Sequence, residues 1–424
     1  MSALAASSLE SPRVRGATRL LVPGAGTSWA EHLERYGPLP QLDGRRASFI
    51  AEVERSGLTG RGGAGFPTAV KLQAVAAGRA PVVVANGTEG EPASGKDRVL
   101  MARNPHLVVD GVVAAMAAVG GDQGIVAVSN RSRSACAALT AALAERRSDA
   151  RRIRLVSVPD RFVAGEETAL VHLLNGGEAK PTFTPPRPFE RGVGGRPTLV
   201  QNVETLANLA LIARHGADWF RQAGTGGEPG TALVTVLGAV RRAGVVEVEL
   251  GTPLGHIVER CGGLAAPARA LLVGGYFGSW IDAQGNLELP LSNAGLLPAG
   301  AALGARTLVV LPHGTCGVAE SARVARYLAG ESAGQCGPCV FGLPAVAQAL
   351  ESLAASAPDG RHSLERLPRL SAQIARRGAC GHPDGAVRFV ESALRVFTDE
   401  IQLHLAGRCS ATHSEPLLPT GAGP

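Results

Sequence analysis

Two neighbouring stretches decide the fold: GLTGRGGAGFPTAVK, Gly57–Lys71, and VVVANGTEGEPASGKDR, Val82–Arg98. The second opens on a short β-branched run without a polar break, the pattern of a strand buried on both faces of a parallel sheet. Its polar residues Asn86, Glu89 and Glu91 then fall at the strand's carboxyl end, the edge where open α/β sheets bind ligands. Lys96, Asp97 and Arg98 offer the competing account, in which these carboxylates are satisfied as structural ion pairs. The first stretch gathers glycines around Arg61 just ahead of a helix expected from Thr68. Backbone N–H groups of such a loop can approach a phosphate, and Lys71 adds a point charge on the first turns. A plain Gly-rich turn has the same composition, and the loop matches neither G-x-x-x-x-G-K-[ST] nor G-x-G-x-x-G.

Outward from these stretches, helix and strand patterns alternate. Helices are expected over Phe49–Ser56, Pro105–Val119, Arg133–Arg147 and Asn202–Ala213, with strands over Val82–Ala85, Ile125–Ser129 and Arg154–Pro159. Such alternation implies βαβ units and a parallel sheet covered by helices. AGEETAL, Ala164–Leu170, sets Glu166 and Glu167 at a helix start, as ligand groups or as caps. Near Gly230 the style changes to short β-branched runs punctuated by glycine, TALVTVLGAV, VVEVELGT, RALLVGGYFGSWI and TLVVLP, with one short helix, His256–Cys261, among them. After Thr315 the pattern is helical, over Val318–Leu328, Pro344–Ala355, Leu364–Arg377 and Ala386–Leu405, as in a bundle. The expected organisation is a poorly structured lead-in over 1–45 holding one short helix, Ser28–Arg35, then an α/β domain over 46–228, a β module over 229–312, a helical domain over 313–406 and a disordered tail over 407–424.

Composition removes several functions. The 424 residues carry 42 Lys+Arg against 36 Asp+Glu, a net charge of +6, but the lysines are only Lys71, Lys96 and Lys180. The excess is scattered arginine with no basic tract interleaved with aromatics, so no nucleic-acid partner is expected. A hydrophobic fraction of 45% excludes a disordered chain. The richest apolar stretch, Leu107–Gly120, carries Asp110 and is too short to span a bilayer, and MSALAASSLESPRVRG lacks the apolar core of a secretory signal. A cytoplasmic protein, at most peripherally membrane-associated, is expected.

Seven cysteines are an odd number and too sparse for a disulfide framework. Cys336-x-x-Cys339 lies on a Gly/Pro turn, with Cys380 farther on. Thiolates so placed suit neighbouring irons of a cluster, tetrahedral zinc being the main alternative and buried inert thiols the bland one. Cys136 and Cys261 read as core filler, and Cys409 has no context that assigns it.

GRGGAGFPTAVK, the N-x-x-E-x-E-P-x-x-x-K-D-R pattern from Asn86 to Arg98, AGEETAL, GRPTLVQNVETLANL (Gly195–Leu209) and ESAGQCGPC (Glu331–Cys339) occur in this order. Together they resemble the flavin (51 kDa, F-type) subunits of NADH:quinone oxidoreductase, respiratory complex I, and the related diaphorase subunits of NAD-linked hydrogenases and formate dehydrogenases. The resemblance spans roughly Gly57 to Phe397 and fits a divergent standalone member. It implies an α/β Rossmann-like FMN domain, a small β-grasp module of the soluble-ligand-binding type, and a C-terminal helical bundle carrying a [4Fe-4S] cluster. Carried over by position, it gives FMN to Gly60, Arg61, Gly62, Gly63, Lys71, Asn86, Glu89, Gly165, Glu166 and Asn202, and NADH to Phe66, Glu91, Phe162 and Glu167.

The chain also departs from that pattern. A second aromatic of the nicotinamide clamp falls on Ala74, an aspartate of the flavin motif on Thr88, and a lysine and phenylalanine on Thr184 and Arg187, unless an insertion shifts them to Lys180 and Phe183. The first cluster cysteine is Ala333, leaving Cys336, Cys339 and Cys380, with Cys316, His382 or an outside group as the fourth ligand, or else a [3Fe-4S] core. The implied function is hydride transfer from NAD(P)H to FMN, then single electrons through the cluster to an iron-sulfur or ferredoxin-like partner, with no side chain needed as acid or base. The alternatives are an electron-transfer or adaptor protein that keeps FMN or the cluster without oxidising NADH, and a vestigial relative holding neither.

Overall fold

A computed structural model describes residues 18–22, 24, 26–42, 44–412 and 415–421. Residues 1–17, 23, 25 and 43 of the expected lead-in lie outside the described residues, as do 413–414 and 422–424 of the tail.

Along the chain run α1 (Trp29–Tyr36), α2 (Arg46–Ser56), α3 (Thr68–Ala76), β1 (Val82–Gly87), α4 (Lys96–Arg103), α5 (Pro105–Val119), β2 (Gln123–Ser129), α6 (Arg133–Glu145), α7 (Arg147–Ala150), β3 (Ile153–Val158), α8 (Glu167–Leu174), β4 (Thr198–Asn202) and α9 (Val203–Arg221). The four strands form one wholly parallel sheet in the order β3-β2-β1-β4. Val82 to Ala85 have no exposed surface, because helices cover both faces. Each valine so buried contributes roughly 1.5–3 kcal/mol. The chain steps one way from β1 to β3 and then returns to the other side of β1, so the topological switch point lies between β1 and β4. Asn86 and Asn202 are register partners there, at the carboxyl ends.

The second sheet comprises β5 (Thr231–Gly238), β6 (Gly244–Glu249), β7 (Ala268–Val273), β8 (Ser279–Asp282) and β9 (Thr307–Pro312), ordered β6-β5-β9-β7-β8, with β5 and β9 parallel and the other pairs antiparallel. Its helices are α10 (Leu254–Arg260) and the one-turn α11 (Asn293–Leu296). The remainder is helical: α12 (Gly317–Gly330), a π-turn over Pro338–Gly342, α13 (Leu343–Ala354), α14 (Gly360–Ile374), α15 (His382–Val396) and α16 (Thr398–Leu405). The α/β, β-grasp-type and helical sequence styles are therefore the architecture. No helix among the described residues is long and apolar enough to cross a membrane.

Two expectations need correction. The described part of the lead-in is packed rather than loose. Leu20 is fully buried, and Glu247 on β6 accepts the N–H groups of Arg19, Leu20 and Leu21 at 2.8–3.0 Å. The tail is also held: Leu418 is buried, its N–H donates to Glu320 at 2.8 Å, and the Tyr276 hydroxyl donates to the Pro419 carbonyl at 2.5 Å. Both segments are fixed by partners distant in sequence, which local composition does not reveal.

Candidate functional site

The switch point is held open by side chains bonding to one another. Asn86 Nδ2 donates to the Gly165 carbonyl at 2.8 Å, while its Oδ1 accepts the Thr88 hydroxyl at 2.7 Å. A Cβ on Gly165 would stand 2.4 Å from Thr88 Oγ1, so this approach requires glycine. Asn202 caps α9, with Oδ1 accepting Glu204 N–H at 3.0 Å, and its Nδ2 donates to Asp97 at 2.7 Å. A cavity of about 610 Å³ opens beside these residues, within the range of roughly 300–1,000 Å³ usual for cofactor sites.

The Gly-rich loop forms one wall. Gly62 and Gly63 line the cavity, and their N–H groups meet no acceptor of the chain among the described residues. Lys71 lines the same wall and pairs with Glu167 at 2.7 Å across the mouth. Phe66, 53% exposed, offers a ring face at the rim. Arg61 departs from expectation. Its N–H donates to Thr205 at 2.8 Å, and its guanidinium turns into the interior to meet the Pro229 carbonyl at 3.0 Å, so it does not line the cavity. Burial, with Arg306 beside it, lowers its pKa to about 9. The residue joins the loop to β5 instead of reaching a ligand.

The acidic strand end divides its roles. Glu89, at φ 45°, accepts the N–H groups of Asp97 at 3.0 Å and Arg98 at 2.9 Å, capping α4, and it also accepts the Ser94 hydroxyl at 2.6 Å. Lys96 pairs with Asp97 at 2.7 Å and Glu204 at 2.8 Å in the interior. Structural pairing thus accounts for Lys96 and Asp97, whereas Glu89 is held by backbone donors. Glu91 accepts Tyr276 N–H at 2.8 Å from the second sheet's β7–β8 turn. Loss of bulk solvent pushes its carboxyl up to about 7. Glu166 caps α8, accepting Thr168 N–H at 2.9 Å, and Glu167 is the first helical residue.

The far wall was not foreseen: Gly274, Phe277, Gly304 and Ala305 come from the β module and Arg388 from the bundle. The GGYFG run at Gly274–Gly278 was the available signal. Phe277 packs on Phe162 with ring centroids 4.8 Å apart, and both rings lie edge-on to His382. Lys180 pairs with Glu178 at 2.8 Å and Phe183 is 84% exposed; neither lines the cavity.

Cys380, Gly381 and His382 complete the lining, so the cavity abuts the cysteine group. Cys339 sits in the π-turn and its thiol feels both Cys336 and Cys380; burial pushes it up to about 12. The N–H of Ala333 donates to that same thiol, which puts residue 333 beside the group. His382 is 2% exposed, its Nε2 bonds the Leu328 carbonyl at 2.7 Å, and its Nδ1 has no partner among the described residues. Burial lowers its pKa and keeps the ring neutral. Cys316 does not belong here. It caps the opposite end of α12, whose 14 residues span about 21 Å, and it meets His404 at 3.2 Å instead.

Comparison with known proteins agrees with this layout. Residues 53–211 match the Nuo51 FMN-binding domain, 233–275 the SLBB domain, and 319–404 the NADH-ubiquinone oxidoreductase-F iron-sulfur binding region. The chain is 32% identical to the second NADH-quinone oxidoreductase F-type subunit of Rhizobium meliloti, over 86% of its own length and 90% of that protein's. It is likewise 32% identical to the NADH-quinone oxidoreductase F-type subunit of Streptomyces coelicolor, covering 93% and 94%. A crystal structure of an NAD+-reducing [NiFe]-hydrogenase in the air-oxidized state superposes with a TM-score of 0.78 at 31% identity, over 88% of this chain; the chain spans 64% of that hydrogenase chain.

Proposed function

The chain belongs to the F-type family of NADH-quinone oxidoreductase subunits, and from that premise we propose that the switch-point cavity is its flavin and nicotinamide site, with Cys336, Cys339 and Cys380 holding its cluster. It is an NADH dehydrogenase-like oxidoreductase, in which bound FMN accepts hydride from NAD(P)H and a [4Fe-4S] cluster carries electrons onward singly. The observation that carries the site assignment is that one cavity is lined by the Gly-rich loop, by Asn86 and Asn202, and by Cys380.

The residues fit these groups chemically. The N–H groups of Gly62 and Gly63, without an acceptor among the described residues, suit a phosphate, and Lys71 supplies a cation once its bond to Glu167 is shared or exchanged. A Cβ on Gly62 would stand 3.2 Å from Asn202 Cβ, so a side chain there would narrow this wall. Asn86, Glu166 and Asn202, braced by the bonds above, present polar edges without moving. Phe66 at the rim and Phe162 at the inner wall offer surface to an aromatic ligand, while Glu91 and Glu167 offer carboxylates. For the cluster, His382 is the fourth ligand in this proposal: Nε2–H donates to the Leu328 carbonyl, which leaves the Nδ1 lone pair free. The relatives are named as subunits, and this chain's partner is proposed to be an iron-sulfur or ferredoxin-like electron acceptor. Exposed Val340 and Phe341, next to Cys339, provide an apolar contact for it. A cytoplasmic placement, where thiolates stay reduced for the cluster, is part of the same proposal.

Lys71→Ala tests the phosphate assignment. Losing one charge-assisted bond of about 1.5–3 kcal/mol should weaken FMN binding at least tenfold, read as flavin retained after dialysis. Wild-type retention would place the phosphate elsewhere.

A further inference from the structure

Where the bundle meets the second sheet, four metal-ligating side chains face one another. The ligand atoms of Cys316, Glu400, His404 and Cys409 all lie within 4.8 Å of each other. Cys316 Sγ is 3.2 Å from His404 Nε2, and Glu400 Oε1 is 3.5 Å from the same nitrogen. We propose that these residues form a structural zinc site, separate from the iron-sulfur centre, that clamps the end of α16 and the start of the tail to the N-terminus of α12.

The geometry suits tetrahedral zinc. Zn–S near 2.3 Å and Zn–N or Zn–O near 2.0–2.2 Å put the edges of a tetrahedron at about 3.3–3.8 Å, close to the two spacings observed. The set supplies two sulfurs, one nitrogen and one oxygen, the borderline-soft mixture that zinc accepts and magnesium or calcium does not. Its surroundings are those of a metal site. Ser356 Oγ lies 3.2 Å from His404 Nδ1, where it can accept Nδ1–H and leave the Nε2 lone pair for the metal. Cys316 Sγ accepts Ala319 N–H at 3.3 Å, and Cys409 Sγ accepts Ala411 N–H at 3.4 Å, so each thiolate would have a donor. Glu400 is oriented by the N–H of Ser410 at 2.9 Å and by the Ser410 hydroxyl.

The charges balance in the same direction. Two thiolates, a carboxylate and Zn²⁺ sum to one negative charge, and Arg269 stands 3.8 Å from the other Glu400 oxygen to offset it. Three ligands, Glu400, His404 and Cys409, come from one short stretch, and the fourth comes from a helix cap far earlier in sequence. A metal would therefore close a long loop, the case in which a cross-link restricts the unfolded chain most.

The test measures zinc and iron together, by mass spectrometry of the full chain purified with its flavin. About one zinc per chain is expected in the wild type and in Cys336→Ser, which damages only the cluster site. Cys409→Ser, at an exposed position, and His404→Ala should each lose at least four-fifths of that zinc while keeping wild-type FMN content. Cobalt added to the apo-protein should show a thiolate charge-transfer band that Cys409→Ser lacks. Zinc unaffected by Cys409→Ser and His404→Ala would overturn the proposal. So would a chain that takes up neither zinc nor cobalt, or a Cys316–Cys409 disulfide found in the unreduced protein.

Discussion

Glu91 shows how one side chain couples the two sheets to the cavity. It lies on the first sheet's loop, yet it is bonded to the backbone of Tyr276 in the second, and loss of solvent raises its carboxyl from an ordinary 4.5 to about 7. The folded state therefore favours the protonated form. The cost of ionising Glu91 is absent below about 4.5, grows as pH rises, and is fully present above about 7. Glu91→Gln should accordingly gain in melting temperature over the wild type at pH 8 and much less at pH 5; an equal difference at both values would sink the assignment. The same titration predicts a KM for NADH that rises from pH 6 to 8 in the wild type, through repulsion of the dinucleotide phosphates, and stays flat in Glu91→Gln. At this scale the sequence identifies which residues gather but not where each points. Arg61 illustrates the limit: its neighbours in the motif line the cavity, while its own side chain follows the Pro229 carbonyl inward.

Among the elements, the π-turn and the start of α15 have most consequence, because Cys339 sits in the first with Cys336 just ahead of it, and His382 opens the second with Cys380 two residues before. Since residue 333 is an alanine beside the Cys339 thiol, His382 is the nearest replacement in kind for the missing thiolate. His382→Ala should reduce iron and sulfide content by more than half, and adding Ala333→Cys in that background should restore it by supplying a fourth sulfur. Iron content unchanged in His382→Ala would exclude the imidazole as a ligand. The long periodic elements were legible, α5 to its boundaries, because an apolar face or an uninterrupted β-branched run declares itself locally. What stayed hidden depends on distant partners. α4 begins where Glu89 upstream accepts its first N–H groups, and the lead-in is docked by Glu247 from another sheet. α16 separates from α15 at Phe397, a fully buried ring, where the pattern reads as one continuous helix.

Over the whole molecule, the parallel sheet, the mixed sheet and the bundle meet at one cavity, and each contributes to its wall. The three styles along the sequence indicated three parts; that the second would carry Phe277 to the first, and the third would carry Cys380 and His382, is a property of their packing. This convergence is the physical basis of the proposed electron path, because Cys380, proposed as a cluster ligand, stands at the wall of the same cavity as the proposed flavin site. The most direct measurement is anaerobic addition of NADH to the flavin-loaded, iron-sulfur-loaded protein, followed by absorbance and then by low-temperature EPR of the frozen sample. Bleaching of the oxidised flavin band and a reduced-cluster signal in the same sample are the predicted result. An unbleached flavin, or a bleached flavin beside a cluster that stays oxidised, would contradict that path.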